Sequence, residues 1–168
     1  PIPGDFRMRL EAAVCAALAA ELRPMPGIRE LLASLQVPYC LASSSGGARI
    51  ALSLQLAGLT EYFDGRIFGT ELVVHGKPAP DLFLHAARAM AAPPERCLVI
   101  EDSDPGIAAA RAAGMTAWGF AGGSHLSAGD AADRLRASGA AAVFAKMDAM
   151  QRALVGERAA EGSGDGLR

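Results

Sequence analysis

The sequence of 168 residues is poor in aromatic residues and contains no long hydrophobic segment. Aromatic residues make up 5% of it although 51% is hydrophobic, because alanine supplies much of the apolar content. Alanine-rich segments favour closely packed helices. No apolar run is long enough to cross a bilayer and no signal peptide is visible, so we expect no membrane partner. The length is sufficient for one domain with a substantial core.

Cysteine is also scarce, and the charge is nearly balanced. The three cysteines, Cys15, Cys40 and Cys97, are odd in number and far apart, which favours reduced core residues in a cytoplasmic protein. A net charge of −2 provides no electrostatic surface for nucleic acid or acidic membranes. Histidine and cysteine do not occur at the spacing of a zinc site, and the Gly-x-Ser-x-Gly motif of serine hydrolases is absent.

Helical and strand-like patterns alternate along the chain. A first helix, capped by Asp5, is followed by strands that we predict at Pro38–Ala42, Phe63–Phe68 and Cys97–Ile100, with helices between them. The last of these strands is apolar throughout, as in parallel sheets covered on both faces. The alternation therefore predicts an α/β fold with a parallel sheet and helices on both faces. The tail Gly156–Arg168 is rich in Gly, Glu and Ser and is predicted to be disordered.

Three polar clusters stand just beyond apolar segments: the serine loop (Ser43–Ser45), Lys77 between Gly76 and Pro78, and the pair Glu101–Asp102. In open α/β sheets, ligands bind beyond the carboxyl ends of the strands. Hydroxyls and free backbone N–H groups suit a phosphate, and adjacent carboxylates suit a hard cation such as Mg²⁺. An ammonium group suits the negative charge between them. The three clusters together indicate a phosphate and metal site.

Each cluster also has a structural interpretation. A serine in the loop would cap the helix that begins near Arg49, and Asp102 or Asp104 would cap the next helix. Lys77 would be an ordinary surface lysine, although it is one of only two lysines in an arginine-rich chain. His125, which follows a Gly-Gly-Ser loop, is a further candidate for the edge of a pocket.

In combination, these motifs resemble the haloacid dehalogenase superfamily, and most closely its small-metabolite phosphatases and β-phosphoglucomutase-like enzymes. The matching stretches are Leu41–Ser45, His75–Asp81 and Leu98–Ser103, the last followed by Pro105-Gly106-Ile107. The resemblance implies a three-layer, Rossmann-like parallel core at residues 24–155. It also implies that residues 1–23 are the C-terminal part of a helical cap.

The family mechanism implies a role for each matched residue. Ser43 and the N–H of Ser44 would hold the transferring phosphoryl group, and Lys77 would stabilise its charge during catalysis. Asp102, assisted by Glu101, would bind Mg²⁺. The substrate implied is a small phosphorylated metabolite such as a sugar phosphate. The oligomeric state is not implied.

The family nucleophile is absent. It is an aspartate in an Asp-x-Asp-Gly motif, and that motif occurs nowhere in this sequence. In the family, the motif ends a first strand that lies between the strands ending here at Ala42 and Ile100. We therefore expect the chain to begin inside the cap and to lack turnover as written. Two alternatives stay open: a β-phosphoglucomutase-like phosphotransferase, and a non-catalytic fragment that binds phosphate or a partner.

Overall fold

The computed structural model describes residues 3–123 and 128–162 as an α/β fold with parallel strands, as predicted. The strands in this part are β1 (Leu41–Ala42), β2 (Ile67–Phe68), β3 (Leu98–Glu101), β4 (Thr116–Phe120) and β5 (Ala142–Phe144). The helices are α1 (Phe6–Glu21), α2 (Ile28–Ser34), α3 (Gly47–Ala57), α4 (Asp81–Ala89), α5 (Asp104–Ala112), α6 (Ala128–Ala137) and α7 (Met147–Gly162). Short 3-10 helices occur at Thr60–Phe63, Thr70–Leu72 and Pro94–Arg96.

Strand β4 lies between two clusters of buried residues. Ala117 packs in one cluster with Ile107 of α5 and Leu135 of α6. Trp118 packs in the other cluster with Met150 of α7. Because successive side chains point to opposite faces of a strand, β4 separates two layers of helices. The predicted three-layer arrangement is confirmed, and Trp118, 3% exposed, is a core residue.

The strands form two separate parallel sheets. One contains β1 and β2, and the other has the order β3-β4-β5. Within the described residues, β1 pairs only with β2 and β3 pairs only with β4, so each has one unpaired edge. Leu98 and Ile100 of β3 are 36% and 41% exposed. The expectation of a strand buried on both faces is therefore wrong, because one face of β3 is only partly covered.

Helix α1 packs on α3 through an ion pair between Glu11 and Arg49. Arg49 donates from Nη2 to Oε2 of Glu11 at 2.6 Å and from Nε to Oε1 at 3.2 Å. Asp5 occupies the N-cap position of α1, but its side chain makes no capping hydrogen bond. Its backbone oxygen accepts from the N–H of Arg9 at 3.0 Å instead. The predicted side-chain cap is wrong, and the assignment of residues 1–23 to a cap stays a prediction.

Other differences concern the ends of elements. Strands β1 and β2 are shorter than predicted because their ladder contains two residue pairs. Helix α7 continues to Gly162, where the sequence predicted a disordered tail from Gly156. The alanine- and glutamate-containing segment after Val155 favours helix. His125 and residues 163–168 lie outside the described residues. In the part of the chain described, no helix combines the length and apolar character needed to cross a bilayer.

Candidate active site

Lys77 connects the carboxyl ends of the two sheets. Its Nζ donates to the backbone oxygen of Ala42, the last residue of β1, at 3.2 Å. The same ammonium forms an ion pair with Glu101, the last residue of β3. It also lies 4.6 Å from the ring centre of Phe83, within range of a cation–π interaction. Its side chain is 7% exposed, so the alternative of an ordinary surface lysine is wrong.

Glu101 has both carboxylate oxygens engaged. One pairs with Lys77, and the other accepts from the hydroxyl of Ser103 at 2.8 Å. The Ser103 hydroxyl in turn accepts from the N–H of Gly106 at 3.2 Å, which makes Ser103 the N-cap of α5. The predicted capping role of Asp102 or Asp104 is therefore wrong. A side-chain Cβ at Gly106 would overlap the carboxyl carbon of Glu101, so this arrangement requires glycine there.

The serine loop is held by backbone contacts with the segment after β2. The N–H of Ser43 donates to the oxygen of Phe68 at 2.9 Å, and the N–H of Thr70 donates to the oxygen of Ser45 at 3.4 Å. The hydroxyl of Ser43 accepts from the N–H of Ser45 at 3.1 Å. Helix α3 begins after Gly46 without a side-chain cap from its N-cap residue, so the alternative of a serine cap is wrong.

Asp102 follows β3 directly and is exposed, at the same edge as Lys77 and the serine loop. Mg²⁺ in proteins takes one or two carboxylates and completes its coordination with water and substrate phosphate. Asp102 fits that requirement as an exposed carboxylate directly after β3. The oxygens of Glu101 accept from Lys77 and Ser103. Across residues 3–123 and 128–162, no group of three or more His, Cys, Asp or Glu side chains could hold a metal by itself. A cation here therefore depends on ligands beyond these side chains.

The cysteines near the sheets are not activated nucleophiles. Burial raises the pKa of the Cys40 thiol, with a further contribution from Cys97. Burial, followed by the charge of Glu95, raises the pKa of Cys97. All three cysteines are free, as expected, but each is only half-buried, so their prediction as core residues is wrong. Because thiolates are the reactive form, both thiols are poor candidates for covalent catalysis.

Three residues near the site were not singled out from the sequence as functional. Ser103 and Gly106 form a capping arrangement that a Ser-x-x-Gly pattern at a predicted helix start would have indicated. Glu71, in the 3-10 helix Thr70–Leu72, accepts from the N–H of Gly47 at 3.1 Å. No local pattern marks Glu71, because its partner is 24 residues away.

Residues 2–114 match the family of haloacid dehalogenase-like hydrolases. The chain belongs to this family. The resemblance predicted from the motifs is thereby confirmed. A probable pseudouridine-5'-phosphatase of Drosophila melanogaster is 40% identical over 123 residues, which are 68% of this chain and 53% of that protein. The chain spans about half the length of the curated relatives it matches.

Two solved structures show the same fold. A haloacid dehalogenase-like protein of unknown function from Agrobacterium tumefaciens superposes with a TM-score of 0.84 at 34% identity, covering 95% of this chain and 72% of that one. A HAD family hydrolase from Deinococcus radiodurans, solved with bound phosphate and sodium, gives a TM-score of 0.79 at 39% identity, covering 90% and 67%. This haloacid dehalogenase-like hydrolase thus shares the α/β fold of both proteins.

Proposed function

We propose that this chain is the catalytic core of a phosphatase that hydrolyses a small phosphorylated metabolite, such as a sugar phosphate. The observation that carries the proposal is the position of Lys77, whose ammonium bridges Ala42 at the end of β1 and Glu101 at the end of β3. Burying a lysine costs free energy unless it is paired, and ligands of α/β sheets bind at the edge where this pair lies. The relatives' names support this class of substrate.

In the proposed site, Ser43 and the N–H of Ser44 bind the transferring phosphoryl group. Lys77 offsets the charge of that group and of the attacking carboxylate, and Glu101 holds the ammonium in place. Asp102, assisted by Glu101, would hold Mg²⁺, which supplies charge stabilisation when bound. Glu101 forms an ion pair with Lys77 and accepts a hydrogen bond from Ser103. The main role that we propose for Glu101 is therefore to orient Lys77.

The proposed nucleophile is an aspartate on a strand between β1 and β3. The unpaired edges of these two strands within the described residues support a place for it, and Lys77 contacts the last residue of each strand. The carboxylate attacks phosphorus while a second aspartate protonates the departing ester oxygen. Water then cleaves the aspartyl phosphate and releases inorganic phosphate. The segment that would carry both aspartates is absent from this sequence.

We expect residues 1–168 alone to show no phosphatase turnover, because no carboxylate is available at the position of attack. A form extended at its N-terminus by a strand ending in Asp-x-Asp-Gly should hydrolyse a generic aryl phosphate with Mg²⁺. Both proteins are assayed after the same purification. Activity of the short form that scales with its concentration would contradict the mechanism, and an inactive extended form would contradict the proposed function.

We also expect the extension to stabilise the sheet. Within the described residues both β1 and β3 have an unpaired edge, and each ladder hydrogen bond formed there contributes about 0.5–1.5 kcal/mol. Several new ladder hydrogen bonds should raise the melting temperature by more than about 5 °C. Thermal melting and size-exclusion chromatography measure this, with an extension of shuffled strand sequence as the control. Equal, cooperative melting of the short and extended forms would contradict a strand between β1 and β3.

The phosphotransferase alternative uses the same core groups and differs in the fate of the phosphoryl group. Product analysis with a sugar phosphate separates the two activities, because a phosphatase releases inorganic phosphate and a mutase returns an isomeric ester. The non-catalytic alternative predicts phosphate binding without turnover in the extended form.

A further inference from the structure

We infer that Glu71 is a positioning residue that ties the start of α3, directly after the serine loop, to the segment after β2. Its effect on phosphate binding rests on the proposed function, whereas its effect on the loop does not. Glu71 belongs to the 3-10 helix Thr70–Leu72, which follows β2, and none of the groups assigned above includes it. Its side chain connects two segments that are far apart in the sequence.

Glu71 supplies the capping acceptor that α3 otherwise lacks. Gly46, the N-cap residue, has no side chain, and the N–H of Gly47 donates to Oε1 of Glu71 at 3.1 Å. The neighbouring Thr70 donates its N–H to the oxygen of Ser45 at 3.4 Å. The loop from Ser45 to Gly47 is thus held at two points by one short turn. First-turn N–H groups of a helix need such partners, and a carboxylate there is also favoured by the helix dipole.

Two glycines, Gly69 and Gly47, leave room for the Glu71 carboxylate in its present position. A Cβ at Gly69 would overlap both carboxylate oxygens, and a Cβ at Gly47 would lie 2.9 Å from Oε1. By contrast, a Cβ at Gly46 would lie 3.8 Å from Oε2. Gly69 has φ −101° and ψ 172°, an extended conformation that any residue adopts. A glycine is therefore needed at position 69 for the space occupied by Glu71, not for the backbone conformation.

The location of this contact relates it to the proposed phosphate site. Gly47 is two residues from the end of the serine loop, and Ser43 is tied to the same turn region through Phe68. Because the N–H of Gly47 already donates to Glu71, it is not available to a phosphoryl group. In the proposed site that group is bound by Ser43, Ser44 and Lys77. A loosened loop should therefore weaken phosphate binding without removing a group that takes part in chemistry.

Three variants of the extended protein distinguish the effect of the position of the Glu71 carboxylate from the effect of its charge. Glu71→Ala removes the carboxylate, and Glu71→Gln keeps an oxygen acceptor without the charge. Gly69→Ala keeps the charge but displaces the carboxylate from Gly47. Glu61→Ala removes an exposed glutamate from the 3-10 helix Thr60–Phe63 and is the matched control.

The first measurement is amide hydrogen exchange of Gly47 by NMR, without substrate. Loss of one hydrogen bond should raise the exchange rate about tenfold in Glu71→Ala and Gly69→Ala. The rates in Glu71→Gln and Glu61→Ala should stay at the wild-type value. Unchanged exchange in Glu71→Ala, or increased exchange in the control, would overturn the inference. The result of this measurement does not depend on the extended protein being active, so it tests the inference separately from the proposed function.

The second measurement is the affinity for inorganic phosphate, followed by NMR titration, together with KM and kcat for an aryl phosphate. We expect Glu71→Ala and Gly69→Ala to raise Kd and KM about three- to tenfold, with kcat within about twofold of wild type. Glu71→Gln should restore both constants. If Glu71→Gln weakens phosphate binding as much as Glu71→Ala does, the effect is due to the charge of Glu71, and the inferred positioning role is overturned. Normal phosphate affinity in Glu71→Ala would overturn the link between loop and site.

Discussion

Asp102→Ala should reduce kcat/KM of the N-terminally extended protein by about a thousandfold, the equivalent of about 4 kcal/mol of transition-state stabilisation. Asp102 is the exposed carboxylate directly after β3, at the edge where Lys77 and the serine loop meet. In the proposed site it holds the cation that offsets the charge of the phosphoryl group. The loss should appear at saturating substrate and should not be recovered at ordinary Mg²⁺ concentrations.

The control for Asp102→Ala is Asp64→Ala, which removes an exposed aspartate that follows the 3-10 helix Thr60–Phe63. Its kcat/KM should stay within about twofold of wild type, as surface substitutions usually do. Melting curves of both variants show whether the fold is retained. Near-normal activity of a folded Asp102→Ala protein at ordinary Mg²⁺ would reject the metal assignment.

Gly106→Ala should destabilise the protein by about 3 kcal/mol and lower its melting temperature by about 6–12 °C. The new Cβ would overlap the carboxyl group of Glu101, whose side chain is 9% exposed and has little room to move. Displacement of that carboxyl leaves the ammonium of Lys77, 7% exposed, without its partner. An unpaired buried charge is far more costly than an unpaired charge in water.

Gly156→Ala is the matched control, because a Cβ at this exposed position in α7 meets no atom within 4 Å. Alanine is the better helix former, so the melting temperature should stay the same or rise slightly. In the extended protein, Gly106→Ala should also reduce activity, because the ammonium of Lys77 loses the carboxylate that orients it. A Gly106→Ala protein with unchanged melting and activity would show that Glu101 does not need its present position.

The organisation of the site could be predicted from the sequence to a useful extent. The serine loop, Lys77 and Asp102 each follow or adjoin an apolar segment, and the carboxyl ends of parallel strands meet at one edge of a sheet. The structure brings Lys77 together with the ends of β1 and β3, as that rule requires. The catalytic and metal-binding roles of these residues stay predictions.

Two side-chain contacts could not be predicted from the sequence, because each joins segments that are far apart along the chain. Glu101 adjoins Asp102 in the sequence, which suggested two metal-binding carboxylates, but its nearest partners are Lys77 and Ser103. Glu71 was missed for the same reason, since its partner Gly47 belongs to a different loop. Neighbours in sequence did not indicate the contact of Glu101 with Lys77 or that of Glu71 with Gly47, because the partners lie 24 residues apart in each case.

The α/β class, the family and the edge of the sheet that carries the polar clusters could all be read from the sequence, because alternating apolar patterns and short motifs are local properties. It took the folded structure to show that, within residues 3–123 and 128–162, β1 and β3 each have an unpaired edge, that Lys77 bridges them, and that Ser103 caps α5. These features depend on which buried groups find partners within hydrogen-bonding distance after packing. That is a property of the assembled core, and no single segment contains it.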